Sequence, residues 1–159
     1  MFLTLIIEII AVYLTLVFLI PLLLFPNYLI IKPKPILTNK IKRIANKLRS
    51  KTKGETSKKV FDYVANEYSS EKYRLFVLPY KHFYHNPDKF VDRRQFLPCH
   101  VQCLVYRTLL LATGQFSESN LKKKIIMTPY GVIHQYYLIK IRHKVFKVDP
   151  FFHEYHLIR

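Results

Sequence analysis

The segment LPCHVQCLVYRTLLLATG, Leu97 to Gly114, is the strongest constraint on how this chain can fold. As a helix over Cys99 to Thr113 it would be apolar around much of its circumference, and such a helix has to be buried. Pro98 suits a helix start. Gly114 stands where a helix ends on a left-handed residue. The segment therefore predicts a central core helix. It also carries the only two cysteines of the chain, Cys99 and Cys103, one turn apart.

The segments around it supply what such a helix would pack against. Val60, Phe61, Val64 and Ala65 recur at helical spacing within Glu55–Tyr68, which predicts a second helix. Tyr73–Gln95 is aromatic and broken by Pro79 and Pro87, so it reads as an irregular packed segment with a short helix near Asp88–Arg94. Ile125–Thr128 is a short strand candidate. His134–Ile141 and Lys144–Asp149 predict an antiparallel hairpin turning at Arg142-His143, and Asp149-Pro150 ends its second strand. A helix followed by an antiparallel sheet makes an α+β domain. No internal repeat is visible.

The N-terminal third has a different composition. Phe2–Phe25 contains one charge, Glu8, and is long enough to span a bilayer core of about 30 Å. No basic region precedes it, as it would in a cleaved signal peptide. The run therefore predicts an uncleaved transmembrane helix, kinked or ended by Pro21 and Pro26, within an anchor over residues 1–31. Eleven Lys and Arg residues follow between Lys32 and Lys59, against one acidic residue, Glu55. Residues 32–54 read as a basic juxtamembrane linker, with an amphipathic helix over Ile36–Leu48 lying near the membrane. The positive-inside rule then predicts a single-pass membrane protein whose C-terminal domain, 55–159, is cytoplasmic. The formal net charge of +16 is concentrated beside the anchor, which favours anionic lipid over nucleic acid as its partner.

The two thiols are separated by position. Cys99 heads the predicted helix, where backbone N–H groups and the positive dipole end favour the thiolate. Cys103 lies a turn further in and reads as a small core residue. A nucleophilic cysteine needs a base, and the base needs an orienting group. If Ile141 pairs with Lys144, Asp149 sits opposite Tyr136, which shares a sheet face with His134. Asp149 is then the diagonal cross-strand neighbour of His134. A disulfide is disfavoured, because cysteines four apart on a helix are poorly placed for one. A zinc site built on Cys99, His100 and Cys103 lacks the second ligand pair, and His100 would point away from the cysteine face. No metal or cofactor is expected.

A cysteine at a helix start, His134-Gln135-Tyr136 opening a strand and Val148-Asp149-Pro150 ending the next together resemble the transglutaminase-like superfamily of papain-type cysteine enzymes. The resemblance covers roughly Glu55–Phe152. It implies a Cys-bearing helix packed on an antiparallel sheet, and a triad of Cys99, His134 and Asp149. It also implies acyl transfer on amide or peptide bonds of a peptide or protein substrate through a thioester, with hydrolysis favoured over cross-linking. The sequence departs from the family pattern at Leu97, where Gly is common, and at Tyr136, where Trp is common. Lacking any tryptophan, it has no indole to serve an oxyanion, which leaves the Cys99 N–H with Gln95 or a tyrosine as candidate donors. A catalytically inactive, membrane-anchored binding or adaptor protein of the same fold is the alternative.

Overall fold

The computed structural model describes residues 2–15, 35–128 and 133–159. Helix α1 (Phe2–Leu14) is followed by α2 (Asn39–Leu48) and α3 (Lys53–Glu67). Strand β1 (Tyr68–Ser69), the short helix α4 (Arg74–Val77) and β2 (Gln95–Phe96) lead into α5 (Cys99–Ala112). The chain then forms β3 (Leu121–Met127), β4 (Ile133–Ile141), β5 (Lys144–Asp149) and β6 (Glu154–Leu157). Among the described residues these last strands make an antiparallel meander in the order β3-β4-β5-β6, and β1 pairs in parallel with β2. The domain is α+β.

Helix α5 is the centre of the core. Every residue from Cys99 to Leu110 is buried, because α2 and α3 pack on one side and β4 on the other. Ile41 and Ala45 of α2, Val60 and Val64 of α3, and Ile139 and Val148 of the sheet are all fully buried in one cluster with Val101, Val105 and Leu109. Burial on all sides obliges the polar residues of α5 to find partners. Arg107 pairs with Glu118, and the Gln102 amide donates to the carbonyls of Leu97 (2.9 Å) and Ser69 (3.3 Å). Gly114 closes the helix with φ +71°, the left-handed geometry that favours glycine.

Three sequence expectations change. First, α1 has 13 residues, about 20 Å at 1.5 Å per residue and short of a bilayer core of about 30 Å. Among the described residues no helix is long and apolar enough to cross a membrane. The expected N-terminal transmembrane helix is therefore not supported, and with it falls the expected single-pass localisation with a cytoplasmic domain. Residues 16–34, with the remainder of the apolar run and Pro21 and Pro26, lie outside the described residues.

Second, α2 is a wall of the core rather than a helix on a linker. Thr38 caps it by accepting from the Ile41 N–H (3.3 Å). Lys40 donates to the Asp88 carbonyl (2.7 Å) and pairs with Asp92 (2.8 Å). Part of the basic charge thus serves the domain itself. Third, β3 is longer than expected, β6 had no sequence signal, and the helix near Asp88–Arg94 shrinks to a single 3-10 turn at Pro87–Lys89.

Candidate active site

Cys99 is the first residue of α5. Pro98 precedes it in extended geometry (φ −59°, ψ 156°), and its carbonyl accepts from the N–H groups of Val101 and Gln102, both at 3.0 Å. The chain thus turns abruptly from strand to helix at the cysteine. The pairing of β2 with β1 fixes the approach, since Gln95 and Phe96 lie just upstream. Cys99 packs in a small cluster with Phe96 and Phe151, edged by Leu78 and Ile133.

The hairpin delivers the other two groups. Ile141 pairs with Lys144, and the register runs to Tyr137 opposite Val148. One step further puts Asp149 across from Tyr136, diagonal to His134. The His134 Nε2–H donates to Asp149 Oδ2 at 2.5 Å, and Asp149 Oδ1 accepts the Phe152 N–H at 3.2 Å. With Nε2 held by the carboxylate, Nδ1 is the ring nitrogen left for Cys99. The rings of Phe152, Phe151 and Tyr136 surround His134 at centroid distances of 4.4, 6.0 and 6.4 Å. Both His134 and Asp149 are buried, at 3% and 0% exposure.

Burial pushes the Cys99 thiol up, but the neighbouring His100 and His134 rings outweigh it and bring the thiol down to about 6. Burial pulls His134 down, yet the bonds and negative charges of Asp149 and Cys99 raise it to about 9. Between those values the arrangement favours a thiolate beside an imidazolium. Cys103, one turn away, goes well above its ordinary value through burial and the negative charges of Asp149 and Cys99. Its Sγ–H donates to the Gln135 carbonyl (3.2 Å), tying α5 to β4. Both cysteines are free thiols.

The structure therefore brings Cys99, His134 and Asp149 together as the sequence spacing suggested. The His100 ring, expected to point away from the cysteine face, is fully buried, and its Nε2–H donates to the His82 carbonyl at 2.9 Å. Gln95, a candidate oxyanion donor, accepts from Lys81 Nζ at its Oε1 (3.1 Å), and the same ammonium donates to the Phe96 carbonyl (3.0 Å). Among the described residues, no group of three or more His, Cys, Asp or Glu side chains is arranged to hold a metal ion. Compared with protein-family models, curated proteins and solved structures, the chain matches none of them.

Proposed function

We propose that this chain is a transglutaminase-like cysteine enzyme that cleaves amide or peptide bonds of a peptide or protein substrate. The observation that carries the reading is the bonded series Cys99, His134, Asp149, drawn from the start of a helix and the ends of two strands. A buried thiol lowered to about 6 next to an imidazole raised to about 9 is what a thiolate nucleophile paired with a general acid requires.

In the first step the Cys99 thiolate attacks the amide carbonyl carbon, and the carbonyl π pair moves to oxygen. Collapse of that adduct expels the amine, which takes the Nδ1 proton of His134, and leaves a thioester on Cys99. Water then gives a proton to His134 as its oxygen attacks the thioester. The carboxylic product leaves and the thiolate is restored. Asp149 keeps the ring oriented and stabilises its charged form. The orphan N–H groups at the start of α5 are available geometry for the developing oxyanion. An amine acceptor in place of water would give transamidation, and hydrolysis is preferred because it needs no second substrate site.

The second reading is a binding or adaptor protein whose site does not turn over. The observation favouring it is that Cys99 is only 4% exposed, beneath Phe96 and Phe151. Denatured casein separates the two readings. Wild-type protein should release new amino termini, or attach a fluorescent primary amine to casein, and Cys99→Ala should lose either activity by on the order of 10⁴-fold or more. Equal activity of wild type and Cys99→Ala would end the enzyme reading.

A further inference from the structure

The four-stranded sheet has two unlike faces. Tyr137, Ile139 and Ile141 of β4 are buried in the cluster around α5, whereas Tyr136 and Leu138 are half-buried and Lys140 is exposed. The register sets Leu138 between Lys122 and Lys147, Tyr136 across from Lys124, and His134 across from Ile126, which is 43% exposed. Side chains alternate along a strand, so all of these share the outer face with Lys140. The His134 and Tyr136 rings agree, with centroids 6.4 Å apart and planes at 24°. Lys124 stands one row, about 7 Å along the strand, from the row of His134.

The charge on this face has one dominant sign. Against Lys122, Lys124, Lys140 and Lys147, the carboxylates among the described residues are Glu154, paired with Lys147, and Asp149, bonded to His134. Cations also sit over two of the rings that flank His134: Lys147 Nζ is 5.0 Å from the Tyr136 centroid and Lys72 Nζ is 5.2 Å from that of Phe152. Lysines on β3 alone would be ordinary protection of a sheet edge. Lys140 and Lys147, however, lie on strands with a neighbour on each side, where no edge needs protecting.

We propose that this outer face binds the substrate, and that the substrate is an acidic peptide segment whose carboxylates meet Lys122, Lys124 and Lys140. Its apolar side chains rest on Ile126, Tyr136 and Leu138. The inference rests on the proposed activity and names the substrate class for it. Anionic lipid and nucleic acid would also meet lysines, but the face runs without a break to His134, which favours a chain that has to be delivered there.

The test is fluorescence anisotropy on the full chain carrying Cys99→Ala, so that a bound peptide stays whole. The probe is a fluorescein-labelled peptide of alternating Glu and Leu, set against its Gln-Leu counterpart at low ionic strength. The acidic peptide should bind about tenfold more tightly or better, an advantage that shrinks as salt is added. Adding Lys122→Glu with Lys124→Glu should weaken it by about tenfold or more; Lys122→Gln with Lys124→Gln, which only removes charge, should weaken it less. Lys42→Glu with Lys47→Glu makes the same change of charge at exposed positions of α2, a helix that packs on α5 away from the sheet, and should leave binding nearly unchanged. Equal binding of the two peptides, or equal losses in the sheet and α2 variants, would overturn the proposal. So would phosphatidylserine vesicles or a single-stranded oligonucleotide losing affinity in the sheet variant while the peptide does not. A chain that binds the acidic peptide but leaves casein whole would sink the proposed activity, while the acidic-peptide surface stands. One that cleaves casein yet binds both peptides alike would sink the surface alone.

Discussion

Four residues separate Cys99 from Cys103 on α5, and both thiols are buried, at 4% and 0% exposure. Burial pushes each one up. Cys99 nevertheless ends low, because the neighbouring His100 and His134 rings favour its thiolate, and Cys103 ends high, because the negative charges of Asp149 and Cys99 add to its burial. The helix dipole falls off within the first turn and so acts in the same sense, on Cys99 more than on Cys103. What separates the thiols is the company each keeps. Asp149 acts on both: directly it raises Cys103, and through His134 it favours the thiolate of Cys99.

Removing that carboxylate should therefore collapse the contrast. Asp149→Asn should lower turnover by about 10²- to 10⁴-fold, and kcat against casein is the measurement. A smaller loss, with Cys99 labelling unchanged, would mean that the pair owes nothing to Asp149. The contrast should also be readable as a window of pH. Labelling of Cys99 should climb as pH rises through about 6, and turnover should fall again as His134 loses its proton above about 9. Between these limits Cys99 should react roughly 10²-fold faster than Cys103, which stays a thiol; comparable labelling of both in the folded chain would break the comparison. The smallest effect is on stability. Cys103→Ala removes a donor to the Gln135 carbonyl and should cost about 1–3 kcal/mol in urea unfolding, with Cys103→Ser recovering part of it.

Much of this contrast was legible before the fold. The helix limits at Pro98 and Gly114, the Arg142-His143 turn and the cross-strand relation of His134 to Asp149 follow from local chemistry and from a strand period of two. Other features depend on contacts that no local pattern encodes. The basic composition of Asn39–Leu48 reads as solvated, yet two small steps of apolar spacing, Ile41 and Ala45, are enough to seat α2 against α5. Strand β6 follows a turn that uses His153 at φ +56°, with no glycine to announce it. The Phe2–Phe25 run looks continuous by hydropathy, whereas the described α-helix α1 covers Phe2–Leu14. The buried His100 ring takes its partner, the His82 carbonyl, from eighteen residues upstream.

Phe152 joins two tasks that most sites assign to different residues. Its ring lies 4.4 Å from the ring of the buried His134, while the residue itself is 37% exposed. Its backbone N–H holds Asp149 Oδ1. A substrate that pushed the whole residue aside would unfasten the carboxylate at the moment of arrival and disarm the site it had just entered. One that only turned the ring about its side-chain torsions would leave the backbone bond in place. Under the proposed activity, the movement that would keep the site competent is a swing of one aromatic side chain, with the main chain held still.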